Sequence, residues 1–146
     1  MVDQGTAERF IDSYRATFES FDVAAIAACF AFPCQVTGDG DPAAGATVVS
    51  VPSADTWVPQ IARIVGAYRL LGVRRAEVLD LRVVPVTSHV AYAVVHWGLR
   101  GADSATVYDF TGSYALADLG EGLRITAIVH DETPKLVAAV ARAQAR

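Results

Sequence analysis

The chain has 146 residues, of which 53% are hydrophobic and 19% are charged, and its formal net charge is −4. This length predicts one domain, residues 1–146, around a single core. The Lys and Arg residues form no basic stripe, and the apolar stretches fall short of the roughly 20 residues that span a bilayer, which excludes nucleic acid and membrane as expected partners.

The start of the chain and its cysteines indicate the cytoplasm. Asp3 stands where a secretory signal would have a basic start followed by an apolar run. Cys29 and Cys34 have the spacing of neither a CxxC motif nor a zinc site. We therefore expect two free, buried thiols in a reducing compartment.

The first part of the chain predicts two short helices and a hairpin. Thr6 can cap a first helix with its aromatic residues on one face. Asp22 can cap a second helix, residues 23–30, which ends before a proline. Two short β-rich runs, residues 35–37 and 47–51, flank a segment rich in Gly, Asp, Pro and Ala, which is typical of a hairpin.

A longer third helix follows the hairpin. Ser53 or Asp55 can cap its start, and Gly72 ends it in the usual C-terminal position. Its apolar residues recur at steps of three and four. They are Trp57, Ile61, Ile64, Tyr68 and Leu71.

Four long strands and a last helix complete the pattern. Thr133 and Pro134 begin an amphipathic helix over residues 135–145. A meander of long strands coils, and helices on its concave side cover it only in part, which leaves a cavity. The predicted fold class is α+β, a strongly curved, mainly antiparallel sheet covered by three N-terminal helices, plus a C-terminal helix. The four strands are residues 73–86, 89–100, 105–116 and 123–130.

This succession resembles the nuclear-transport-factor-2-like superfamily. The resemblance lies in the helix pair over residues 10–14 and 22–30, the glycine-containing hairpin and the closing segment 122–125, where relatives usually have an aromatic residue in place of Leu123. It covers about residues 6–132, with the C-terminal helix beyond. It implies a cone-shaped α+β barrel, as in ketosteroid isomerase, scytalone dehydratase, limonene-epoxide hydrolase and the SnoaL-like polyketide cyclases.

The ketosteroid-isomerase pattern can be compared with this chain residue by residue. That resemblance implies a tyrosine on the first helix, a carboxylate base after the second, and a protonated carboxyl on a late strand. Tyr14 matches the tyrosine, but the base position falls on Gly38 and the late acid near Gly112. Asp39 is one residue away from the base position. Two of the three groups are absent, so we do not predict ketosteroid isomerase activity.

The alternation of side chains on the strands predicts which residues face the cavity. Tyr108, Phe110 and Tyr114 share one face of their strand, and Trp97 faces the cavity from the neighbouring strand. His96 then points outward. A shift of one residue would instead bring His96 and Asp109 into the cavity as an acid–base pair.

The end of the last strand carries three ionisable residues in a row. Neighbours on a strand point to opposite faces, so only one of His130 and Asp131 can reach the cavity. The family placement favours Asp131, as a base whose pKa is raised by desolvation. The alternative is a structural carboxylate that caps the last helix or pairs with Arg124 or Lys135.

Two functions remain open from the sequence. The first is a small-molecule pocket protein that binds a mostly apolar or polycyclic compound, or isomerises, dehydrates or cyclises it by acid–base chemistry. The sequence has no metal motif or cofactor motif, so no cofactor is expected. The second is a non-catalytic accessory module, with a pocket filled by its own aromatic residues, that forms a homodimer through its sheet. The candidate acid–base residues are Tyr14, Asp131, Asp39 and His96, and the candidate ligand-binding residues are Phe18, Trp57, Tyr68, Trp97, Tyr108, Phe110 and Tyr114.

Overall fold

Helices and strands follow one another along the chain in the order that the sequence predicts. The structure is a computed structural model that describes residues 2–40 and 43–146. The middle of the predicted hairpin connection, Asp41 and Pro42, lies outside the described residues. The elements are α1 (Gln4–Glu19), α2 (Val23–Ala27), β1 (Phe30–Asp39), β2 (Ala46–Val51), α3 (Ala54–Leu71), β3 (Val73–Pro85), β4 (Val90–Gly101), β5 (Thr106–Asp118), β6 (Leu123–His130) and α4 (Glu132–Gln144).

All of these strands belong to one curled sheet, in the order β2-β1-β6-β5-β4-β3. Neighbouring strands are antiparallel except β1 and β6, which run parallel. Within the described residues β2 and β3 are the two edges and do not pair with each other, so the sheet curls without closing. The predicted α+β class with a cone-shaped, mainly antiparallel sheet is confirmed.

The caps predicted for the first three helices agree with the structure at three positions and differ at one. The side chain of Asp22 accepts a hydrogen bond from the backbone of Ala25, Ser53 caps α3, and Gly72 ends that helix with a φ of 73°. The prediction for α1 was wrong, because Asp3 is the cap and accepts from the backbone N–H of Thr6 at 2.8 Å. Thr6 lies in the first turn instead.

Helix α2 ends earlier than predicted, at Ala27. The carbonyl of Cys29 accepts a hydrogen bond from the backbone N–H of Ile125 in β6, at 2.9 Å. The chain has therefore joined the sheet by that point, and Phe30 begins β1 rather than continuing the helix. Cys34 is buried in this strand, and both cysteines are free.

The two faces of the sheet differ in burial as the alternation predicts. Val95 and Trp97 are buried on the concave face of β4, whereas Tyr92 is 45% exposed on the other face. Tyr108 and Tyr114 are buried on the concave face of β5. Helices α1, α3 and α4 lie against this face, so the core and the cavity are on the same side of the sheet.

The junction between β6 and α4 differs from the prediction, and it determines which acidic residue faces the cavity. Helix α4 begins at Glu132 rather than at Lys135, with Asp131 in the capping position. The Asp131 carboxylate accepts from the backbone N–H of Thr111 at 2.8 Å, which holds the junction against β5.

None of the helices in the described ranges has an apolar stretch long enough to cross a membrane.

Candidate functional site

A cavity of about 540 Å³ lies between the concave face of the sheet and helices α1, α3 and α4. Its walls are mostly apolar, and aromatic side chains dominate them. Tyr108 of the predicted set stands just behind the wall and reaches the cavity group Glu132 with its hydroxyl. The other predicted ligand-binding residues all line the cavity: Phe18, Trp57, Tyr68, Trp97, Phe110 and Tyr114.

Tyr14 is the centre of the aromatic wall. Its ring lies 5.7 Å from that of Phe18, 6.0 Å from that of Phe30 and 5.8 Å from that of Tyr114, in edge-to-face arrangements. Contacts of this geometry add to the stabilisation from burial alone. The rings brace one another, so the wall holds its shape and leaves the cavity open.

The hydroxyl of Tyr14 is available to a ligand. In residues 2–40 and 43–146 no side chain or backbone group shares a hydrogen bond with it. Burial, and to a lesser degree the neighbouring Tyr114, raise the pKa of Tyr14 well above its usual value. The phenol therefore stays protonated and can donate a hydrogen bond into the cavity.

Glu132 is the carboxyl group of the cavity. It lies in the first turn of α4, and its Oε2 accepts hydrogen bonds from the hydroxyls of Tyr68 and Tyr108, the latter at 2.7 Å. Desolvation raises the pKa of Glu132, and the two phenols offset part of that rise. Both phenols donate to Oε2, and within the described residues Oε1 has no hydrogen-bond partner.

His130 stands beside Glu132 at the end of β6 and also lines the cavity. Its Nδ1 lies 3.1 Å from the backbone nitrogen of Glu132 and accepts that N–H. Desolvation lowers the pKa of His130 against the opposing effect of Asp131 and Asp39. The ring is therefore a neutral imidazole near pH 7, with its hydrogen on Nε2.

Side chains of neighbouring residues fill the two places where the family resemblance implies acids. A Cβ atom on Gly38 would lie 3.2 Å from Nε2 of His130. A Cβ atom on Gly112 would lie 2.7 Å from the hydroxyl of Tyr114, which accepts from Nε1 of Trp97 at 2.8 Å. The imidazole and the phenol thus occupy the space that the missing carboxyl groups would need.

Three of the predicted acid–base residues lie outside the cavity. His96 is on the outer face, where its Nε2 is 2.6 Å from a carboxylate oxygen of Asp109, so the shift that would have brought this pair inside does not occur. Asp39 is exposed at the end of β1. Asp131 faces Lys135 at 3.7 Å, so the family-based placement is corrected: His130 is the one that turns inward.

A comparison with known protein families gives a match over most of the chain. Residues 3–133 match the family model described as NTF2-like protein (DUF6841). The chain belongs to this NTF2-like family. This match confirms the resemblance to the NTF2-like superfamily that was drawn from the sequence. No curated protein matches the chain.

Solved NTF2-like structures share the fold at low sequence identity. An NTF2-like protein of unknown function from Shewanella oneidensis is 10% identical with a TM-score of 0.67, over 87% of this chain and 97% of that one. An NTF2-like protein with a cystatin-like fold from Novosphingobium aromaticivorans is 15% identical with a TM-score of 0.68, over 95% and 87%. A candidate dehydratase of the NTF2-like family from Streptomyces avermitilis is 11% identical with a TM-score of 0.62, over 87% and 93%. At these identities the similarity establishes the fold alone.

Sequence reasoning missed Glu132 as a cavity residue and kept His130 only as the alternative to Asp131. The pairing of Gly112 with His130 would have placed His130 on the same face as Tyr114, so the register carried that signal. An acidic residue directly after an aspartate at the N-cap position is typical of a first helical turn, which is the signal for Glu132. In the described part of the chain no three His, Cys, Asp or Glu residues are grouped to hold a metal ion.

Proposed function

We propose that the cavity binds a mostly apolar small molecule and transfers a proton on it, with Glu132 as the base and Tyr14 as the hydrogen-bond donor. The observation that carries this proposal is the Glu132 carboxyl in an aromatic cavity, with Oε2 held by two phenols and its pKa raised. A carboxyl group with a raised pKa in an apolar pocket suits a general base or acid.

The geometry supports a specific division of roles. A C–H bond next to a ligand carbonyl breaks, its proton passes to Oε1 of Glu132, and its electron pair forms an enolate. Negative charge then develops on the carbonyl oxygen, where the Tyr14 hydroxyl donates a hydrogen bond. Return of the proton to another carbon completes an isomerisation, and protonation of a leaving hydroxyl completes a dehydration.

The alternative is an accessory module whose pocket is filled by its own side chains. Trp57 and Trp97 would fill it, yet both stand in the wall of an open cavity of about 540 Å³. A volume of this size is that of a small-molecule site. The cavity therefore favours the pocket function, and a homodimer through the outer face of the sheet is compatible with either proposal.

Deuterium incorporation into β-tetralone tests the proposal. This bicyclic ketone has acidic C–H bonds next to its carbonyl, and proton NMR in deuterium oxide follows their exchange. We expect the protein to accelerate exchange, Glu132→Gln to remove about a hundredfold or more of that acceleration, and Tyr14→Phe to remove about tenfold or more.

Asp109→Asn is the matched control, because it makes the same chemical change to a carboxylate on the outer face. It should leave the exchange rate unchanged. Equal rates for the native protein and Glu132→Gln would contradict the role of Glu132. Binding of β-tetralone without any acceleration would reduce the proposal to a binding function.

A further inference from the structure

Arg63 stands at the rim of the cavity, on α3. The cavity face of this helix carries Trp57, Ile61 and Ile64 at helical spacing, and Gln60 lies at the edge of that face. Arg63 is one turn beyond Gln60 on the same edge. It lines the cavity, and its side chain is exposed to solvent.

In the part of the chain that the structure describes, no carboxylate pairs with the Arg63 guanidinium. The other arginine of the cavity, Arg15, forms ion pairs with Asp12 at 3.0 Å and with Glu19 at 2.7 Å. Arg63 has no ion pair and no hydrogen bond from its side chain within residues 2–40 and 43–146. The carboxyl of Glu132 lies deeper, is held by phenols, and has a raised pKa. Among the described residues, Arg63 is therefore a cavity-lining cation without a paired carboxylate, on a protein whose formal net charge is −4.

We propose that the ligand is an apolar anion, with a hydrophobic body in the cavity and one anionic group, such as a carboxylate, at the rim. The Arg63 guanidinium binds that group, and the amide of Gln60 is a second donor beside it. Gln60 makes only a 3.4 Å bond to the carbonyl of Thr56, so its amide can turn to a ligand. This inference rests on the proposed function and names its ligand class.

The position of Arg63 also orients the ligand. An anion inside the aromatic cavity would lose its hydration without a cation to replace it, which is costly. At the rim the same group keeps part of its hydration and gains an ion pair that is planar and can be bidentate. The uncharged part of the ligand is then the part that reaches Glu132 and Tyr14.

A matched pair of fluorescent probes tests the ligand class. N-phenylnaphthylamine and anilinonaphthalene sulfonate share one apolar skeleton, and only the second carries an anionic group. Both gain fluorescence in an apolar cavity, so titration gives a Kd for each. We expect the native protein to bind the sulfonate more tightly, and salt to weaken the binding of the sulfonate more than that of the neutral probe.

Arg63→Gln should weaken sulfonate binding about three- to tenfold, the effect of one partly solvated ion pair, and leave the neutral probe unchanged. Arg63→Lys should retain most of the sulfonate affinity. Arg142→Gln is the control, since Arg142 is exposed near the end of α4 and is absent from the cavity wall. It removes the same charge and should change neither Kd.

The outcomes separate this inference from the proposed function. If neither probe binds, the apolar cavity function fails and the inference fails with it. If the neutral probe binds but Arg63→Gln leaves the sulfonate Kd unchanged, or weakens both probes equally, the cavity stands and the anionic ligand class is overturned. A loss confined to the sulfonate, absent in Arg142→Gln, supports Arg63 as the anion-binding residue.

Discussion

The two faces of the sheet each carry a histidine beside a carboxyl group, and their environments differ. Inside, His130 accepts a backbone hydrogen bond from Glu132, and desolvation raises the pKa of that carboxyl and lowers that of the imidazole. Outside, His96 contacts Asp109 in water, and the hydrogen bond from His96 lowers the pKa of Asp109. The pKa of the carboxyl group is therefore shifted in opposite directions on the two faces.

The comparison shows that burial, more than residue type, sets the chemistry available to each cluster. The side chains of His96 and Asp109 are 40% and 49% exposed, so water and salt screen their interaction. Glu132 is largely shielded from water, and its carboxyl group contacts two phenol hydroxyls at the aromatic cavity instead. Desolvation shifts the inner carboxyl toward its neutral form, whereas the hydrogen bond from His96 shifts the outer one toward its charged form.

Truncation of adjacent residues on the two faces should give the largest difference. Trp97→Ala removes a side chain that is 3% exposed and breaks its hydrogen bond to Tyr114, so we expect a loss of about 3–5 kcal/mol in the free energy of unfolding. His96→Ala removes an exposed pair and should lose about 1 kcal/mol or less. Urea denaturation of both variants measures the difference. Comparable losses would show that the inner wall contributes little to stability.

Substitution of alanine for two glycines should change stability in opposite directions. Gly112→Ala places a Cβ atom 2.7 Å from the buried hydroxyl of Tyr114, so the ring must move, and we expect a loss of about 1–3 kcal/mol. Gly66→Ala, on the exposed side of α3, meets nothing within 4 Å and should gain about 0.5–1 kcal/mol from helix propensity. Thermal unfolding measures both. A neutral Gly112→Ala would mean that Tyr114 does not occupy this space in solution.

Much of the fold follows from local patterns that a sequence shows directly. The helical spacing from Trp57 to Tyr68 and the alternation around Trp97 each depend on near neighbours in the chain, and both predicted the right face. The site depends on longer distances. Tyr68 and Glu132 are 64 residues apart, and no local pattern indicates that their side chains meet.

The choice between Asp131 and Glu132 shows where sequence reasoning ends. Both are acidic, and both lie at the end of β6, so the residue that faces the cavity depends on where the strand stops and the helix starts. That point is fixed by the backbone N–H of Thr111, which holds the Asp131 carboxylate outside the cavity. One residue of difference at a junction decides which carboxyl is desolvated.

The pH dependence of the free energy of unfolding should differ between variants of the two carboxyl groups. We expect smaller free-energy changes here than for the truncations and the glycine substitutions. The pKa of Glu132 in the folded state is raised above 4.5, so its contribution is complete below about pH 4.5 and is lost as pH rises through the folded pKa. Glu132→Gln keeps an acceptor for the two phenols and cannot ionise. Its stability relative to the native protein should therefore increase over that range.

Asp109→Asn should show the opposite slope. The pKa of Asp109 is lowered below 3.8, so its contribution is present above that pH and is lost as pH falls through the folded pKa. The variant should be less stable than the native protein near neutral pH, and the gap should close on acidification. Urea midpoints measured from about pH 2 to 8 provide both slopes. Slopes of the same sign would mean that desolvation does not distinguish the two faces, and the inner carboxyl would then be ionised like the outer one.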